Sequence, residues 1–344
     1  MQGTVAFLPA EDGELHGTPE QKREQVEKLL DFGMHLYYDQ IKTEMFPTCF
    51  ISVSKEQAAA WRCFNIDKEM TPEQQSAFNS LKSELEQAIN KIKSTHKVKR
   101  VFVKLSSRSA KDAVSRMEKR FLPYLQAEFN KVNIKDDNQK MIALRNSFIK
   151  ASGVHNSDEA FEMMKWSSRI VSDLKIFLDA SGDGDWFDIK LVVRAFNEDL
   201  ECSQEYRGFV YNRKLTAVSH YQTECYFPEI AAHKDEIGQT FQKYFNDVLL
   251  PILPERAKQS CIIDFALIKG KCFVVELNPY GVSTGSALFD WTKDREILEG
   301  SKPFEIRVVE KVVDHLDAHF APWERIIAKA TEKKKGFFSK LFNK

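Results

Sequence analysis

Two acidic residues stand where acids are costly. Asp264 lies in Ile262-Ile263-Asp264-Phe265-Ala266, and Glu276 lies in Phe273-Val274-Val275-Glu276-Leu277. Both stretches alternate and branch as β-strands do, and Lys269-Gly270-Lys271 between them reads as a hairpin turn. A turn centred on Gly270 sets the two carboxylates directly opposite each other, with Asn278 on the same face as Glu276. Like charges facing across a sheet are destabilising, and apolar neighbours add a desolvation cost. Magnesium relieves both, because it takes one or two carboxylates plus an amide oxygen and completes its octahedron with water and phosphate oxygens. The competing reading makes these edge strands with acids facing water. A register slip of one residue would also separate the pair.

The cationic candidates are Lys104, Arg194 and Arg207. Lys104 ends the apolar run Val101-Phe102-Val103, where a lysine either points inward at a phosphate or snorkels to solvent. Ser106, Ser107 and Ser109 follow it with Arg108 and Lys111, as a flexible phosphate-covering loop would, although no glycine is present. Lys190-Leu191-Val192-Val193-Arg194 suits a linker strand whose backbone reads adenine, and it suits a plain core strand equally. Arg207, between apolar strand positions, needs an anion. That anion is a phosphate or, two residues away on the same face, Glu205. No Ser/His/Asp or Cys/His nucleophile arrangement is visible, so no catalytic residue is assigned. His220 is the one histidine near these segments and reads as structural.

These residues need elements to hold them. Helical periodicity runs from Pro19 to about Tyr38, and Thr71-Pro72 with Gln74 opens a helix to about Lys93. A charged helical stretch fills about 117–155, a helix runs from Ser157 to about Leu178, another from Lys234 to Val248, and a last one from Phe304 to His319. Strands are expected at Cys49–Ser54, Arg100–Leu105 and Phe187–Phe196, and hairpins at Glu205–Tyr221 and Cys261–Leu277. The first twenty residues are expected to lie loosely on the surface. Helices interleaved with antiparallel hairpins predict an α+β fold. The division is a first lobe over 1–185 with a helical elaboration at about 117–155, a second lobe over 186–325, and a basic aromatic tail over 326–344.

Composition limits the functions available. With 344 residues, 50 Lys+Arg and 50 Asp+Glu, bulk charge selects no polyanion, and no nucleic-acid partner is expected. The six scattered cysteines form no zinc spacing and read as reduced. No signal peptide or membrane span is visible, which places the chain in the cytoplasm. Phe337, Phe338, Leu341 and Phe342 among lysines could make a short amphipathic helix for a membrane or partner surface, or remain unfolded.

In order along the chain, these pieces resemble the cell-division-cycle protein 123 family of ATP-grasp proteins, most strongly from Val98 to Trp291. The resemblance rests on Val101 to Ala113, on Leu191–Arg194 with Glu205–Val210 and Lys214–Ser219, and on Ile263-Asp264 with Val275–Gly281 and Leu288–Trp291. It implies an ATP-grasp fold of two lobes with the nucleotide between them. By position, Lys104 and Arg207 would lie at the ATP phosphates, with Ser106 and Arg194 nearby, and Leu191, Val192 and Val193 would form the adenine-binding linker. Asp264, Glu276 and Asn278 would bind magnesium. It further implies an assembly chaperone for eukaryotic translation initiation factor 2, acting through its gamma subunit, and a monomer. The same cleft would also serve a ligase or phosphotransferase working through an acyl phosphate, or a pure interaction protein with a dead site. The chain departs from the family at Val103, Ser106-Ser107, Ser219-His220-Tyr221, Glu276 and Gly285, which stand for proline, asparagine-tryptophan, serine-glutamine-arginine, aspartate and aspartate.

Overall fold

The structure is a computed structural model that describes residues 18–182 and 184–341. The expectation of a loose start, through residue 17, and the tail end at Phe342 lie outside the described residues.

Helix starts are encoded locally. Thr18, Ser54 and Thr71 each accept a hydrogen bond from the backbone three residues on, while Gln21, Gln57 and Gln74 bond back to the cap. These reciprocal boxes satisfy donors that a helix end leaves open. They launch the helices Pro19–Leu30, Lys55–Asn65 and Pro72–His96.

The strands divide into two sheets. β1 (Thr48–Ser52), β2 (Val101–Leu105) and β3 (Lys190–Ala195) form a three-stranded antiparallel sheet in the order β1-β3-β2. One face carries Val101, Val103, Leu105, Leu191 and Val193 into a core shared with the helices Pro72–His96 and Ser168–Ser181. The other face, with Phe102, Lys104, Val192 and Arg194, looks toward the second sheet. That sheet holds β4 (Glu205–Tyr211), β5 (Lys214–His220), β6 (Ser260–Ile268), β7 (Lys271–Asn278) and β8 (Glu305–Arg307) in the order β7-β6-β4-β5-β8. Its hairpin turns at Asn212-Arg213 and Lys269-Gly270 put all four residues at positive φ, the primed geometry that matches strand twist in a two-residue loop. The helix Lys234–Tyr244 and the π-turn after it bury Phe241, Phe245 and Leu249 against the outer face of this sheet.

Four expectations change. β3 belongs to the first sheet, so the first lobe runs past residue 185 to Ala195. The helix expected over Phe304–His319 is absent: the edge of β5 recruits Glu305–Arg307 as a parallel strand, and helix resumes only at Leu316–Phe320. The Ser157 helix is two, Ser157–Lys165 and Ser168–Ser181, because Ser167 caps the second through Ile170 N. The helical stretch at 117–155 resolves into Glu118–Phe129 and Asp137–Ala151. Both share a small core with Ile326 and Ala330 of the helix Glu324–Leu341. The segment set aside as a tail therefore starts inside a docked helix. Among the described residues no helix is long and apolar enough to cross a membrane.

Candidate nucleotide cleft

The strand register brings the predicted acids together through a compensation. The two-residue turn at Lys269-Gly270 pairs Ile268 with Lys271, a register that extended unbroken would set Asp264 opposite Val275. A β-bulge between Asp264 and Phe265 takes up one residue of β7 and restores Asp264 opposite Glu276. At the bulge the Val275 carbonyl accepts a 2.7 Å bond from Arg194 Nη2 of the first sheet.

The registers of the other strands extend the pair into a row. Glu276, Asp264, Arg207, Ser219 and Arg307 are successive cross-strand partners over β7, β6, β4, β5 and β8. Cross-strand partners share a face. Lys104 reaches this row from the opposite sheet and donates to Glu276 Oε2 at 2.6 Å. Arg207 grips Asp264 with both arms of its fork, Nε to Oδ1 and Nη2 to Oδ2, each at 2.8 Å. Its third nitrogen donates to Gly285 O at 2.5 Å. Asn278 Nδ2 donates to Asp264 Oδ2 at 3.2 Å, which leaves the Asn278 amide oxygen as an acceptor. Arg207 therefore meets a carboxylate on the neighbouring strand; the pairing with Glu205 does not form.

The electrostatics follow from this geometry. Burial alone would favour a protonated Glu276, yet Lys104, with help from Lys111 and Arg194, holds its carboxyl at about 2. Burial pushes the Asp264 carboxyl up, against the two Arg207 bonds. Glu205, half-buried near Asp264 and bonded through its side chain to Gln222 Nε2 at 3.3 Å, is pushed up to about 7 by desolvation and by that neighbour.

Beside the row lies a cavity of about 130 Å³ between the sheets, lined among others by Phe46, Phe102, Arg194, Phe196, Glu205 and Val275. Apolar walls with a few polar groups suit a flat heterocycle. Leu191, Val192 and Val193, expected at the base, do not border this cavity. They sit in the middle strand, paired with β1 on one side and β2 on the other. Their backbone groups are engaged in the sheet, and the segment bordering the cavity is Ala195 to Asn197, just beyond.

Other expected residues also move. Ser106 is buried and ties the end of the first sheet: its N–H bonds Lys190 O at 2.8 Å, and its hydroxyl accepts from Lys190 N at 3.2 Å. Arg194 is committed to Val275 O and to Met34 Sδ. The serine-rich loop is pinned, not loose. Ser107 Oγ donates to Asp173 at 2.7 Å, Arg108 forks onto the same carboxylate, and Asp112 accepts from Ser167 and Ser168 at 2.5 and 2.9 Å. The pinned loop holds Lys111 at the cleft mouth, 3.2 Å from Tyr221 OH. Asp173 and Tyr221 were missed. For Asp173 a signal existed, since it stands on the apolar stripe of its helix with Ile170, Leu174 and Phe177. His220 has a backbone carbonyl within 3.2 Å of each ring nitrogen and is buried, as a structural histidine should be. All six cysteines are free.

Among the described residues no three His, Cys, Asp or Glu side chains cluster as a metal centre. The donor set of Asp264, Glu276 and Asn278 is nonetheless all oxygen, hard and next to a cleft, which fits a magnesium ion that draws its remaining ligands from phosphate and water.

The sequence profile of the D123 family matches residues 140–325, more than half the chain. This chain belongs to the D123 family. That is the cell-division-cycle protein 123 family expected from its motifs. A translation initiation factor eIF2 assembly protein of Xenopus laevis is 30% identical over 110 residues, 32% of this chain and 31% of that protein. One from Danio rerio is 28% identical over 137 residues, 39% of this chain and 38% of that protein. The chain thus aligns with about a third of the length of these relatives. The structure of Cdc123 from Schizosaccharomyces pombe superposes with a TM-score of 0.57 at 16% identity, covering 82% of this chain and 97% of that one. At that identity the likeness concerns the fold, and the fold is the α+β ATP-grasp arrangement of two lobes expected from the sequence.

Proposed function

We propose that this D123-family chain binds ATP with magnesium between its two sheets and acts in the cytoplasm as an assembly factor for eukaryotic translation initiation factor 2, engaging the gamma subunit. The observation that carries the nucleotide reading is the continuous row Lys104–Glu276–Asp264–Arg207 beside an apolar cavity. Asp264, Glu276 and Asn278 would hold magnesium, whose chemistry is to neutralise phosphate charge. Lys104 and Arg207 would turn to phosphate oxygens, and Lys111 would add a third positive charge at the mouth. Phe46, Phe102 and Phe196 would enclose the base. The partner reading rests on the names of the relatives, which are eIF2 assembly proteins.

Calorimetry with ATP, with and without magnesium, tests the first half. Magnesium-dependent binding is expected, and its absence overturns the reading. Capture of purified initiation factor subunits tests the second. Retention of the gamma subunit with Mg-ATP, lost in Asp264→Ala, is expected; equal retention without nucleotide would sever partner binding from the site.

A further inference from the structure

Each carboxylate suited to the metal already holds a side-chain cation. Glu276 takes Lys104 from the first sheet, and Asp264 takes both arms of Arg207 from the second. We propose that Lys104 and Arg207 lock the cleft against a bare divalent cation, so that metal and nucleotide enter together or not at all. The inference rests on the magnesium-ATP reading above and concerns the regulation of that site.

The geometry decides between a lock and a merely crowded site. Among the described residues one Glu276 oxygen has no hydrogen-bond partner, and the side chain is 29% exposed, so an ion can reach it. The Asn278 amide oxygen is likewise unengaged. What a lone ion meets there is repulsion, because it must approach within contact distance of an ammonium and a guanidinium to share their anions. The closed Arg207 fork covers both Asp264 oxygens, and Asn278 takes a second site on Oδ2. A polyphosphate changes the balance. Its oxygens give Lys104 and Arg207 equivalent charge-assisted partners, which releases Glu276 and Asp264 at the moment when they have a metal to share with the phosphates. Lys111, across the mouth at Tyr221, adds to the pull on the phosphates without engaging either carboxylate by hydrogen bond.

Coupling of this kind is reciprocal: nucleotide must raise metal affinity by the same factor as metal raises nucleotide affinity. Electron paramagnetic resonance of Mn2+ reads the first factor on the intact chain, alone and with a non-hydrolysable ATP analogue. Calorimetry of the analogue with and without Mn2+ reads the second. The expected factor is at least about 10-fold in each direction. Manganese bound as tightly alone as with the analogue overturns the lock. The second arm needs no nucleotide. Lys104→Gln keeps a donor for Glu276 but removes the charge, and it should strengthen binding of Mn2+ alone at least about 5-fold. An unchanged affinity in a variant with the parent's circular dichroism overturns the proposal. If the parent binds no nucleotide, the ATP reading falls by itself, while the Lys104→Gln comparison still tests the lock.

Discussion

Asp173 and Asp264 are both buried aspartates gripped by an arginine fork, yet they are built for different work. Asp173 is fully buried and has every acceptor site engaged: Arg108 on both oxygens and Ser107 on one. All its partners lie in the first lobe, and its product is a fixed loop. Asp264 sits with a second carboxylate opposite, an amide whose oxygen is idle, and a Glu276 oxygen without a partner. Its neighbour Glu276 is held by a lysine from the other sheet. A buried charge that is saturated stabilises a local structure. One that is paired but surrounded by spare acceptors and like charge stores the capacity to bind something else. The two sites therefore predict unequal responses to the same substitution.

The largest effect belongs to the saturated site. Asp173→Ala leaves the Arg108 guanidinium and the Ser107 hydroxyl without their acceptor inside the first lobe, and we expect a loss of about 3–5 kcal/mol of stability. Urea denaturation followed by circular dichroism measures it. Asp264→Ala should cost no more than about 1 kcal/mol, because it also relieves repulsion with Glu276, and Arg207 keeps Gly285 O and the ring of Tyr221. It should abolish magnesium-dependent ATP binding in calorimetry. Equal destabilisation by the two variants would erase the distinction between them.

The same contrast explains what could be read in advance. Asp264, Glu276 and Asn278 were legible because acids in apolar strands are conspicuous and alternation fixes their face. The pairing came out right although the turn did not sit where it was placed: the bulge at β7 repairs the one-residue offset of the Lys269-Gly270 turn, and a bulge has no reliable signature among Val274, Val275 and Glu276. Leu191 to Val193 were placed at the base by resemblance alone, since an apolar strand reads alike in the middle of a sheet and at a ligand. β8 was read as helix because pairing with the edge of β5, a long-range contact, overrides the local pattern of Phe304 to Val308. The pinned loop depends on Asp173, 66 residues beyond Ser107 in the chain, and only the fold brings the two together.

Lys111 tests whether pinning the loop serves the cleft. Lys111→Ala removes a charge at the mouth while leaving Arg108, Asp112 and Asp173 untouched, so stability should stay within about 0.5 kcal/mol. Affinity for Mg-ATP should fall about 10-fold, as expected for one charge-assisted contact. A variant that loses stability but not affinity would make the loop purely architectural.

The smallest effect separates the sites by pH. Glu205 lies near Asp264 without a cationic partner in contact, and its carboxyl is pushed up to about 7 by burial and by that neighbour. In the unfolded chain it titrates near 4.3. Between these values the folded state holds the proton more tightly, so its contribution is fully present below the unfolded value and is lost as pH rises through about 7. Glu205→Gln cannot ionise and keeps an amide to pair with Gln222. At pH 4 it should melt with the parent, and at pH 8 it should melt roughly 2–4 °C higher. Asp173→Asn, which gives up the ion pair with Arg108, should instead be destabilising at both pH values. If Glu205→Gln gains nothing at pH 8, the crowding of negative charge that makes the cleft receptive to a cation is weaker than its geometry implies, and the contrast with Asp173 narrows to hydrogen bonding alone.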